Sequence, residues 1–251
     1  MSTTTVIVIP ARYHSTRLPG KPLIPIHKKP LIQWVYERAQ LVPDVKQIIV
    51  ATDDERIETT VKGFGGVAMR TPSEMNSGTE RVAWAARHLS ADIIVNLQGD
   101  EPLVDVQGIS SAIRLLRENP EIPVATLGCP LHHQEDWLNP NVVKVVTNRF
   151  SEALLFSRQP LPYFRDEAFH PIEGVYQHVG VYVFRQRFLH KYPALSPSPL
   201  ETVEKLEQLR ILWHGFPIRV VPVATCHPGV DTPEDLQKME RIINSKQKVE
   251  L

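Results

Sequence analysis

The chain has 251 residues, 42% of them hydrophobic and 22% charged, with lysine plus arginine equal to aspartate plus glutamate at 28 each. This composition excludes a disordered chain and a fibrous repeat, and the charge balance excludes a global field for nucleic acid or an acidic membrane surface. Cys129 and Cys226 lack C-x-x-C spacing, no run approaches the ~20 apolar residues of a membrane span, and the first apolar run is too short for a signal peptide, so the expectation is a cytosolic protein without zinc or disulfides.

A β-branched run at 5–9 predicts the first strand. It opens into Ala11-Arg12-Tyr13-His14-Ser15-Thr16-Arg17-Leu18-Pro19-Gly20-Lys21-Pro22, at the strand end where open α/β sheets bind ligands. Arg12, Arg17 and Lys21 stand there, and no acidic residue occurs before Glu37. Two arginines and a lysine fixed by Pro19 and Pro22 suit the oxygens of a polyphosphate; the competing reading is a solvated basic loop. Ser15 and Pro22 occupy positions where a Walker A loop needs Gly and Ser or Thr, so the loop is of another kind.

Helical spacing of Leu31, Ile32, Val35 and Ala39 predicts a helix over 30–40, followed by a strand at 45–52. Thr52 would then cap a helix with acids in its first turn. Ser77 and Glu80 form a capping-box pattern for a helix over 78–89. Its glycine and hydroxyls could equally meet a nucleobase. After a strand at 92–97, Asn96-Leu97-Gln98-Gly99-Asp100-Glu101-Pro102 releases Asp100 at a strand end, a suitable place for a magnesium ligand or simply a turn residue.

Strands at 124–127, 142–147, 179–184 and 218–223 complete an alternation that predicts an α/β fold with a mostly parallel, doubly wound sheet. Residues 139–199 read as an antiparallel extension within a single domain spanning 1–251. A helix is expected over 200–214, with Val203, Leu206, Leu209 and Trp213 on one face, and a last helix near 232, with fraying after Ser245. At that last start Thr232, Pro233 and Asp235 suffice to begin the helix, which leaves Asp231 as a surplus carboxylate, either a second candidate metal ligand or simply a surface residue. Arg158, His178, Tyr182, Glu207 and Gln208 supply the cation, donors and acceptors that an acidic sugar would need, although a lone strand histidine is more often structural.

Together these segments resemble the CMP-Kdo synthetases, the 3-deoxy-manno-octulosonate cytidylyltransferases. The resemblance rests on Ile9-Pro-Ala-Arg-Tyr-x-Ser-Thr-Arg-Leu-Pro-Gly-Lys-Pro-Leu23, on the stretches at 51–54, 77–81, 96–102, 139–144, 156–158, 178–182 and 206–210, and on Gly229-Val-Asp-Thr-Pro-Glu-Asp-Leu236. It implies a Rossmann-like nucleotidyltransferase fold, with 139–199 serving sugar binding and dimerisation, and a cytosolic, magnesium-dependent homodimer. The implied reaction is CMP transfer from CTP to the anomeric 2-hydroxyl of 3-deoxy-D-manno-octulosonate (Kdo) for lipopolysaccharide synthesis. Arg12, Arg17 and Lys21 would hold the triphosphate and act with Asp100 in catalysis; Ala11, Ser77, Gly78 and Gln98 would read cytosine or ribose. Asp100 and Asp231 would hold magnesium, and Arg158, His178, Tyr182, Glu207 and Gln208 would form the Kdo pocket. His14 and Gln159 depart from the family pattern. The alternatives are the same transfer to 8-amino-Kdo or a sialic acid, or a nucleotide-binding regulator, which would not need both Asp100 and Asp231.

Overall fold

The computed structural model describes residues 3–14, 18–75, 77–227 and 229–249. Strand β1 (Thr5–Ala11) is followed by a small ribbon, β2 (Pro25–Ile26) and β3 (Lys29–Pro30), which leads into α1 (Leu31–Gln40). Then β4 (Val45–Thr52), α2 (Glu55–Gly63), β5 (Ala68–Arg70), α3 (Gly78–Ala86), β6 (Ile93–Leu97) and α4 (Val106–Glu118) alternate. The second half holds β7 (Val124–Pro130), α5 (Gln134–Leu138), β8 (Lys144–Thr147), β9 (Ala153–Ser157), β10 (Val175–Arg185) and α6 (Gln186–Leu189). It closes with α7 (Pro199–Glu204), α8 (Gln208–Trp213), β11 (Ile218–Pro222) and α9 (Pro233–Val249). Among the described residues no helix is long and apolar enough to cross a membrane.

The main sheet runs β11-β7-β10-β6-β1-β4-β5. Its strands share one direction except β10, which pairs antiparallel with both β6 and β7. β8 joins the first residues of β10, and β9 joins β8. The expected antiparallel stretch is therefore woven into the middle of the sheet through β10. β1 is buried on both faces, which is why its run is apolar without alternation. Ile7 and Ile9 pack with Val35 of α1, Ile57 of α2 and Ile109 of α4 in one core layer, whereas Val6 and Val8 pack with Val82 of α3 and Leu209 of α8 in the other. Cys129 and Cys226 carry free thiols, Cys129 buried and Cys226 packed against the first layer.

The single helix expected over 200–214 is two. α7 starts at a capping box, Ser198 with Glu201, and stops at Lys205, whose φ of 55° is left-handed; α8 restarts at Gln208. That turn resets the helical phase, so Leu206 and Leu209 are buried while Val203 and Trp213 are 81% and 56% exposed. The helix expected over 78–89 ends at Ala86, and the strand expected at 179–184 already begins at Val175. The cap of α2 is Asp54, not Thr52, because Thr52 is still paired with Ala11 in the sheet; the Asp54 carboxylate accepts from the Arg56 N–H. The last helix continues past Ser245 to Val249, and residues 250–251 lie outside the described residues.

Candidate functional site

β1 and β6 are parallel neighbours, and their carboxyl ends present the two loops singled out in the sequence. Gly99 lets these loops close on each other: a Cβ there would stand 3.0 Å from the Pro10 carbonyl oxygen. The basic loop folds back through the Gly20 N–H, which donates to the Tyr13 carbonyl at 2.9 Å. Gly20 has a φ of +70°, and a Cβ on it would meet the Tyr13 ring at 3.3 Å, so the position favours glycine twice over. Ser15, Thr16 and Arg17 lie outside the described residues.

Lys21 reaches from this loop to both candidate metal ligands, with Nζ 2.6 Å from Asp100 Oδ2 and 2.9 Å from Asp231 Oδ1. Asp231 is delivered by its buried neighbour Val230, whose N–H donates to the Asp100 carbonyl at 2.9 Å. Val230 belongs to a small core with Ile26, Leu31, Met239 and Ile243 that fixes α9 against the β2–β3 ribbon. Thr232 and Asp235 cap the helix reciprocally, at 3.0 and 3.2 Å, and the Asp231 N–H also donates to Asp235, at 3.3 Å, while the Asp231 carboxylate faces Lys21. Burial disfavours the Lys21 ammonium, but the charges of Asp100 and Asp231 outweigh it and raise its pKa.

Beside them stands Glu101, with Oε1 3.3 Å from where a Cβ on Gly229 would lie. Burial, then the charges of Asp100 and Asp231, push its carboxyl up to about 8. Among the described residues no group of three or more His, Cys, Asp or Glu could hold a metal ion. A cation here would rest on two carboxylates and ligand oxygens, which suits magnesium. Asp100 and Asp231 already converge on one cation, the Lys21 ammonium, so the donor set fits.

Ala11 is buried at the end of β1. Ser77 caps α3 by accepting from the Glu80 N–H at 3.1 Å, and Gly78 abuts Gln98, whose Oε1 lies 3.2 Å from a Cβ built there. Gln98 is oriented by donating to Asn96 Oδ1 at 2.9 Å. Arg81, fully buried, pairs with Asp53 at 3.1 Å and also donates to Thr71 Oγ1. Burial lowers its pKa; Asp53 opposes that shift and the Arg12 charge adds to it, so Arg12 has a second guanidinium behind it.

A cavity of ≈ 310 Å³ adjoins this cluster through Gln98 and is lined also by Arg158, Tyr182, Glu207 and Gln208. The break at Lys205 turns Glu207 and Gln208 into it. His178 is not part of the lining. Its ring packs against Tyr182 at 5.3 Å and Phe156 at 5.1 Å, its Nε2 lies 3.0 Å from Thr126 Oγ1, and burial lowers its pKa to about 3, so the imidazole is neutral.

Arg158 is anchored by Nε to the Glu204 carbonyl at 2.8 Å and by a terminal nitrogen to the Pro140 carbonyl at 3.0 Å. Behind it, Lys144 is fully buried and donates to three carbonyls, of Asn139 (2.9 Å), Val142 (2.6 Å) and Arg158 (2.7 Å). Burial lowers the Lys144 pKa to about 8; the Arg158 charge adds to the shift and Glu204 opposes it.

Sequence reasoning overlooked Glu101, Lys144 and Tyr192, which also lines the cavity. Adjacency to Asp100 was a signal for the first, and a lysine interrupting Val142-Val143-Lys144-Val145-Val146 a signal for the second. Tyr192, in a loop before Pro193, carried none.

A family model described as cytidylyltransferase matches residues 6–220. A 3-deoxy-manno-octulosonate cytidylyltransferase of Pelobacter propionicus is 50% identical over 250 residues, covering 95% of this chain and 98% of its own. A solved CMP:2-keto-3-deoxy-manno-octonic acid synthetase, complexed with CTP, superposes with a TM-score of 0.91 at 44% identity, covering 97% of this chain and all of its own. A glucose-1-phosphate thymidylyltransferase of Bacillus anthracis described as putative shares the fold at a TM-score of 0.64 and 15% identity, over 95% of each chain.

Proposed function

Because the chain belongs to the 3-deoxy-manno-octulosonate cytidylyltransferase family, we propose that it transfers CMP from CTP to the anomeric 2-hydroxyl of Kdo, releasing pyrophosphate. The observation that carries this reading is the convergence of Lys21, Asp100 and Asp231 near a cavity that is large enough for a sugar acid and has Arg158, Glu207 and Gln208 in its lining. The hydroxyl attacks the α-phosphorus in line with the departing pyrophosphate, so positioning and charge neutralisation are the main demands on the protein.

Arg12, Arg17 and Lys21 take the charge that develops on the pyrophosphate. Ala11, Ser77, Gly78 and Gln98 line up the cytidine, the last three through polar groups at the start of α3 and the end of β6. Arg158, Tyr182, Glu207 and Gln208 hold the sugar, and neutral His178 supports Tyr182 from behind. Asp100 and Asp231 would hold magnesium, which supplies Lewis-acid polarisation of phosphate and sugar oxygens when bound. Lys21, paired with both carboxylates, stands where its ammonium can meet phosphate oxygens. The wider reading is a cytosolic homodimer, its dimer contacts made by the 139–199 segment, that feeds activated Kdo to lipopolysaccharide assembly.

Pyrophosphate release by the purified protein with CTP and magnesium, compared across Kdo, 8-amino-Kdo and sialic acid with and without chelator, tests the reading. Turnover with Kdo that stops on chelation is expected. Turnover with another sugar alone would change the substrate, and CTP binding without turnover on any sugar would replace the enzyme with a regulator.

A further inference from the structure

Tyr192 begins a short 3-10 turn, Tyr192–Ala194, between α6 and α7. Its side chain is completely buried, yet it forms part of the cavity wall with Tyr182, Glu207 and Gln208. The Arg210 guanidinium lies 5.0 Å from the ring centroid and is itself fixed by hydrogen bonds of 2.9 and 2.6 Å to Glu201. Pro193 stiffens the backbone that follows. The ring is thus held in place, but its hydroxyl has no hydrogen-bond partner among the described residues.

A buried hydroxyl without a partner is destabilising, and phenylalanine would fill nearly the same space without that penalty. The phenol is also kept protonated, since burial first and the nearby Glu207 charge second raise its pKa. It is therefore a protonated, fully buried donor on a residue that lines the ligand cavity, with the Glu207 charge close by. We propose that the Tyr192 hydroxyl donates a hydrogen bond to one hydroxyl of the sugar, whose own proton is accepted by Glu207, so that the pair reads the presence and position of that hydroxyl. A hydroxyl can accept and donate at once; a hydrogen atom does neither, and an ammonium has no lone pair to accept with. The inference rests on the assignment of this cavity to the sugar.

The test is Tyr192→Phe, examined by thermal unfolding and by steady-state kinetics with CTP, Kdo and a set of singly deoxygenated Kdo analogues. The expected result is unchanged or increased stability, a KM for Kdo raised about five- to tenfold, the size of one neutral hydrogen bond, and an unchanged KM for CTP. One analogue, lacking the hydroxyl in question, should be used equally by both proteins. An unchanged KM for Kdo in the folded variant would overturn the proposal, as would the same penalty with every analogue. Absence of wild-type turnover on any sugar would remove the functional reading as well, which separates that failure from this one.

Discussion

Lys21 sits between two carboxylates that come from distant parts of the chain, and each of the three has a separable role. Asp100→Ala should lower kcat by on the order of 10²–10³-fold at saturating CTP and magnesium, because its contribution falls in the transition state. Undiminished turnover would exclude Asp100 from the metal site. Lys21→Ala should raise the KM for CTP and lower kcat together, each by roughly tenfold or more; wild-type values would show that the ammonium never leaves the carboxylates. Lys144 gives a pH dependence with a definite sign. Its lysine value of 10.5 falls to about 8 in the fold, so between these values the unfolded chain binds more protons and rising pH favours folding. The stability of the wild type relative to Lys144→Met, from urea midpoints, should therefore increase from pH 8 to pH 10.5, and a flat or falling difference would contradict the burial argument. At this scale the sequence disclosed residues whose chemistry stands out locally, such as Asp231 beyond a satisfied helix start. It did not disclose His178's retreat behind Tyr182 or Tyr192's place in the cavity, because both depend on packing between remote segments.

The α7–α8 corner shows what an element's sequence can hide. No glycine marks the break at Lys205, and the apolar spacing of Val203, Leu206 and Leu209 runs through it as if one helix continued. The long-range bonds of Arg158 to Glu204 and the Arg210–Glu201 pair hold the two short helices in their bent arrangement. Lys205 adopts the left-handed conformation without glycine's freedom, so Lys205→Gly should stabilise the protein by about 1 kcal/mol, read as a higher urea midpoint at unchanged slope. A lower midpoint would mean that the lysine side chain contributes more than its backbone costs. Elements set by local pattern, such as β1, α1 and β4, were legible nearly to the residue; α5 and β9 are short, and the antiparallel placement of β10 between β6 and β7 is fixed only by its partners.

For the whole molecule, the candidate site joins the basic loop after β1, the turn after β6 and the cap of α9, with the sugar cavity of the α7–α8 corner beside them, so nucleotide should brace the first three at once. At CTP about 100-fold above its Kd, with magnesium present, binding should add about 2.7 kcal/mol of stability, seen as a raised Tm that Lys21→Ala largely abolishes. An equal rise in that variant would place the nucleotide elsewhere. The reversed strand β10 also fixes an order of events during synthesis. The β5-β4-β1-β6 block has its sequence complete by Leu97, but the free edge of β6 receives no neighbour until Val181 to Arg185 have been made. At ordinary translation speed that interval is roughly ten seconds, during which a fully buried strand of the finished protein offers its open edge to other nascent chains. The vulnerable form of this protein is thus its half-made one, and conditions that slow the ribosome between β6 and β10 should cost more soluble product than the same delay after β11.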